Sequence, residues 1–131
     1  MKLSTFAIII TILAIGFGLA FLFVPEKVAE FYGGSLTGSG IIAARYFGSA
    51  NVFIGLIYWS YSGVSPAAKS WPKLLLYSLF YDLLQLGITL AAQLNKEGNS
   101  NGWSSVALFA LLAIASLYYM GQCSKARAQA K

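Results

Sequence analysis

The sequence predicts an all-α integral membrane protein: a bundle of four transmembrane helices, with a short interfacial helix after the first span. Three observations predict it. Of 131 residues, 58% are hydrophobic and only 10% charged, whereas a water-soluble domain carries about 25% charged residues. The apolar residues gather into four runs of spanning length separated by short polar segments, and roughly 20 residues of helix cross a bilayer. Tyrosine and tryptophan collect mostly at the edges of those runs, where amphipathic rings prefer the headgroup boundary. Four spans nearly exhaust the length, so the expectation is one membrane domain over residues 1–131.

The first span is read from Phe6 to Val24, an uncharged run preceded by Lys2 and closed by Pro25 and Glu26. A cleaved signal peptide is the rival reading, with Lys2 as its charged start and Gly18-Leu19-Ala20 as a small-residue site. Retention is favoured because the apolar run continues through Phe21, Leu22, Phe23 and Val24. Residues 25–32 read as a short helix, with Pro25 at its first position, Glu26 in its first turn and Gly33-Gly34 as its stop. Val24, Val28, Phe31 and Tyr32 on one side, against Glu26, Lys27 and Glu30, suit a helix lying at the membrane surface.

A Gly/Ser/Thr linker, with Ser39 as a helix cap, leads to a second span over 41–61. It ends in Tyr58-Trp59-Ser60-Tyr61. A loop holding Pro66, Lys69, Trp71, Pro72 and Lys73 precedes the third span, 74–94. A polar turn with Lys96 and Glu97 then leads past Trp103 to the fourth span, 104–120, and a basic tail over 121–131. Lys2, Lys69, Lys73, Lys125, Arg127 and Lys131 fall on one side, against Lys27 and Lys96 on the other. The biased side stays in the cytoplasm, so both termini are expected there, in a cytoplasmic (inner) membrane.

Composition also narrows the chemistry. The chain has no histidine and one cysteine, Cys123, so no disulfide forms within it. The commonest metal ligand and the side chain best suited to proton transfer near neutrality are both missing. No metal site, cofactor or catalytic residue is expected. The net charge of +5 is scattered and forms no stripe, which argues against nucleic acid as a partner.

Function must then rest on polar residues inside apolar runs. Ser78, Asp82, Gln85, Thr89 and, slightly off line, Gln93 share one face of the third span. Ala44, Gly48, Asn51, Gly55 and Tyr58 share one face of the second, a small-residue seam for close helix approach. At ~1.5 Å rise per residue, Asn51 lies roughly 15 Å and Asp82 roughly 18 Å from the outer ends of their spans. Arg45 is only about 6 Å deep, so an ion pair with Asp82 would have to bridge some 12 Å.

A carboxylate near mid-bilayer costs roughly 3 kcal/mol or more unless it is paired or neutralised. Asp82 is therefore either a proton- or substrate-binding group, aided by Asn51, Gln85, Ser78, Tyr81 or Tyr58, or a protonated fastener between spans. Arg45 either snorkels to headgroups or meets Glu30, with an anion or lipid-phosphate contact as the functional alternative. Tyr77 and Tyr81 read as helix-interface filling ahead of pocket lining. Gly16 and Gly18, and Ala107, Ala110, Ala113 and Ser116, read as packing positions.

Val24-Pro25-Glu26, Tyr32-Gly33-Gly34 and Ala44-Arg45-Tyr46-Phe47-Gly48 resemble short motifs of small four-helix bacterial membrane proteins, broadly those of the DoxX-like group. The resemblance covers the first half best. It implies a four-helix inner-membrane bundle and carries over no catalytic residue. The reading that asks for fewest assumptions is a non-enzymatic accessory or assembly subunit, or a lipid-associated bundle, in contact with the bilayer and with a membrane-protein partner or its own copies. The alternatives are a small homo-oligomeric proton-coupled transporter using Asp82, and an intramembrane enzyme acting on a lipid or isoprenoid.

Overall fold

Five α-helices make up most of the described residues, which contain no strand. The structure, a computed structural model, describes residues 2–97 and 99–130. Helices α1 (Leu3–Phe23), α3 (Gly38–Tyr61), α4 (Trp71–Leu94) and α5 (Gly102–Gln129) are each long and apolar enough to cross a membrane. At ~1.5 Å per residue they run from about 32 to about 42 Å, against a hydrocarbon core of about 30 Å. The short α2 (Pro25–Phe31) is the predicted interfacial helix. The chain gathers into two compact units, Met1–Val64 and Ser65–Lys131.

In the first unit α1 and α3 pack along most of their length, and α2 touches both. Glycine sets the approach. A Cβ added to Gly18 would lie 2.8 Å from the Gly48 carbonyl oxygen, and one on Gly48 would lie 2.7 Å from the Gly18 oxygen. Gly55 is as tight, with the Ile15 Cγ1 2.6 Å from such an atom. Backbones in this contact attract by dispersion over a long line, which is how helices associate when lipid offers no hydrophobic gain. Edge-to-face ring pairs Phe6–Tyr58 and Phe21–Phe47 fill the seam on either side of the glycines. Gly16, expected to serve packing, is exposed with open space around it, so only Gly18 carries that role in α1.

Pro25 opens α2 and Glu26 lies in its first turn. The stop is a paired-carbonyl cap: Gly34 N–H donates to Ala29 O at 2.9 Å and Gly33 N–H to Glu30 O at 3.0 Å, with Gly33 at φ 81°. That left-handed residue suits glycine, which has no Cβ to clash. Phe31 and Val24 are exposed, and Lys27 Nζ donates to Glu30 Oε2 at 2.9 Å. The Glu30 carboxylate holds the Lys27 ammonium above its ordinary range.

Four boundaries differ from expectation by three residues or more, the first being α1, which begins at Leu3 and not at Phe6. Helix α3 begins at Gly38, so Ser39 lies inside the first turn and caps nothing; the extended residue before the helix is Thr37. Helix α4 begins at Trp71, with Pro72 at its second position, where a missing N–H costs no helical bond. Trp71 is fully buried and forms no part of an exposed loop. Helix α5 continues to Gln129, so the tail is helical over 121–129, because Ala, Gln, Lys and Arg all favour helix.

In the second unit α4 and α5 form an antiparallel hairpin joined by a short turn. The same cap ends α4: Glu97 N–H donates to Ala92 O at 2.9 Å and Lys96 N–H to Gln93 O at 3.1 Å. Here the left-handed position is Lys96, at φ 57°. Asn99 Oδ1 accepts from Asn101 N–H at 2.9 Å and shapes the entry to α5.

Candidate functional site: the buried polar groups of the helices

Several polar side chains inside the apolar helices, Thr11, Asn51, Thr89 and Ser124 among them, bond to the backbone of their own unit. In α4 the polar face turns inward at Asp82, which is buried at 5% exposure, while Phe80, Leu83 and Leu84 on either side are exposed. Its carboxyl lies beside the hydroxyl of Ser116 on α5. Ser116 is 1% exposed, and its Oγ has no hydrogen-bond partner of ordinary geometry among the described residues.

That behaviour sets Ser116 apart from other helical hydroxyls. Thr89 Oγ1 donates to Gln85 O at 2.8 Å, and Ser124 Oγ to Met120 O at 3.1 Å. A helical serine ordinarily satisfies itself on the preceding turn. With that bond unmade, the Ser116 hydroxyl is left to meet Asp82. A buried polar group without a partner costs about 1–3 kcal/mol, and Asp82 is the polar side chain beside this one across the α4–α5 contact.

The other expected members divide by unit. Ser78, Asp82, Gln85 and Tyr81 belong to the second unit, and Asn51 and Tyr58 to the first. Ser78 and Gln85 are half-buried. Tyr81 meets Phe109 of α5 edge-on at a 6.4 Å ring separation, which is the packing role expected of it, whereas Tyr77 is 68% exposed. Asn51 Nδ2 donates to Phe47 O at 2.9 Å, one turn back in its own helix. Tyr58 is buried against Phe6. Arg45 is exposed on α3, and the acid considered for it, Glu30, is engaged by Lys27.

One contributor, Thr11, was not singled out from sequence, whereas Gln93 was expected on the polar face of α4. Thr11 lies in the middle of the most apolar run, yet it is buried, and its hydroxyl lies 2.9 Å from Ala7 O and 3.2 Å from Gly55 O across the seam. One hydroxyl in a run of aliphatics was the available signal. Gln93 packs its amide directly over Gly102, the first residue of α5. Gly102 is buried and leaves no room for a Cβ. No group of three potential metal-ligating His, Cys, Asp or Glu side chains occurs among the described residues. No known protein family, curated protein or solved structure matches the chain.

Proposed function

We propose that this multi-pass membrane protein is a structural component: an accessory or assembly subunit of a larger membrane complex, with no catalytic role of its own. One observation carries the reading. Asp82, Thr11 and Gln93 are directed at Ser116, Gly55 and Gly102 of the paired helix, while large apolar side chains such as Phe53, Phe80, Ile88 and Leu111 remain exposed. Polar groups spent on holding helices, beneath an apolar exterior, make a scaffold for lipid and for other transmembrane helices. In this reading the chain lies in the cytoplasmic membrane with both termini inside, α2 at the outer interface, and Arg45 reaching to headgroups.

Purification from native membranes in mild detergent tests this. The expected result is co-elution with a stable membrane-protein partner or with further copies of the chain. A strictly monomeric species, formed at every detergent concentration that keeps the protein folded, refutes it.

The buried Ser116 hydroxyl beside Asp82 favours one second reading, a homo-oligomeric carrier that binds a proton at Asp82. Four spans per chain are too few to hold an inverted-repeat path, so copies would share it. In that case Asp82→Asn abolishes proton-coupled uptake by vesicles while the fold survives. Unchanged uptake eliminates the carrier.

A further inference from the structure

The Asp82–Ser116 and Gln93–Gly102 contacts fix the register of the α4–α5 hairpin. Eleven residues before Asp82 stands Trp71, and eleven after Ser116 stands Arg127. The start of α4 and the end of α5 therefore lie at the same level. This brings Lys69 and Lys73, from the approach to α4 and its first turn, to the end of the unit that carries Lys125 and Arg127.

Among the described residues, the end so formed holds four cations and no acid. The two acids of this unit are elsewhere: Asp82 is buried within the hairpin, and Glu97 lies in the opposite turn beside Lys96. Lys69, Lys73 and Lys125 are exposed. Arg127 rests its Nε on Cys123 O at 3.4 Å, which leaves its terminal guanidinium nitrogens to a further acceptor.

Length puts these charges outside hydrocarbon. Helix α5 is about 42 Å long, roughly 12 Å more than an apolar core. With Trp103 at one boundary, a spanning stretch of some 20 residues ends near Cys123. Lys125 and Arg127 then project into the headgroup layer. Directly beneath them Trp71, Leu75 and Cys123 are fully buried, so the cations stand on a packed platform.

We propose that the Lys69, Lys73, Lys125 and Arg127 end of the α4–α5 hairpin binds the phosphate headgroups of anionic phospholipids in the protein's own membrane. Polybasic segments at the mouth of a span attract anionic lipid by summed Coulomb attraction within a Debye length. Four cations from α5, α4 and the approach to α4, unopposed by acid, meet that description. The opposite end, where Lys96 is offset by Glu97, does not.

The test is native mass spectrometry of the full chain released from mixed micelles of phosphatidylglycerol and phosphatidylcholine with identical acyl chains. The expected result is a preference for phosphatidylglycerol of about tenfold or more, since each cation near an anionic surface contributes about fivefold. K69Q/K73Q/K125Q/R127Q brings the two lipids to within about twofold, and added salt does the same to the unaltered chain. Lys96→Gln leaves the preference intact. If the fourfold variant fails to fold, the pairs K69Q/K73Q and K125Q/R127Q each lower the preference several-fold. Three results overturn the proposal: an undiminished preference in these variants, an equal loss from Lys96→Gln, or displacement of the lipid by millimolar inorganic phosphate, which would make the end a site for the free anion.

Discussion

Asp82 and Ser116 are buried polar side chains that lie beside one another between α4 and α5. The carboxyl, sheltered between α4 and α5, requires a polar neighbour, and the Ser116 hydroxyl has none in its own helix. Interhelical polar contacts of this kind are worth about 0.6 to 1.7 kcal/mol in membranes. Asp82→Ala and Ser116→Ala should each destabilise the hairpin by about that amount in detergent unfolding, and the double variant by little more than the worse single one. Full additivity would show that the two side chains act independently. Asp82→Asn, which keeps a polar partner, should lie close to wild type. At the far end of α4, Lys96 occupies a left-handed position with φ 57°. Lys96→Gly removes the Cβ clash there, and a gain of about 0.5–1 kcal/mol is expected in the same assay. A loss would mean that the lysine side chain makes a contact worth more than the strain.

Among the elements, the α1–α3 seam and the α4–α5 hairpin use different devices. The seam depends on missing side chains. Gly48→Leu should overpack it at a cost of roughly 1–3 kcal/mol, whereas Gly16→Ala, facing open space, should be neutral. A melting temperature in detergent unaffected by Gly48→Leu would contradict the close approach. The seam was readable in sequence because Gly48, Gly55 and Tyr58 recur at helical spacing, and all three are buried in the structure. The helix count was equally legible, since spanning length and low charge leave few alternatives. Helix starts were less so. Trp71-Pro72 resembled a loop because tryptophan and proline mark boundaries, yet proline within the first turn is compatible with helix. The Asp82–Ser116 contact was half legible. A lone mid-span acid announces itself, but a serine among alanines and leucines looks like one more small packing residue. Which helix meets Asp82 depends on hairpin register, and no local pattern encodes that.

The whole molecule carries four apolar crossings in two hairpin-like units, and its polar residues are spent within those units. On the proposed function it lies in the cytoplasmic membrane as a component that other helices lean on, with the ends of α1 and α5 inside. That arrangement can be read by labelling intact cells with a membrane-impermeant maleimide. The background is Cys123→Ala, with single cysteines introduced in turn at Ser35, Ser65, Ser100 and Ala130. The account predicts that Ser35→Cys and Ser100→Cys react from outside, while Ser65→Cys and Ala130→Cys react only after the membrane is permeabilised. Labelling of Ser35→Cys and Ser65→Cys from the same side would contradict it, because α3 would then not cross.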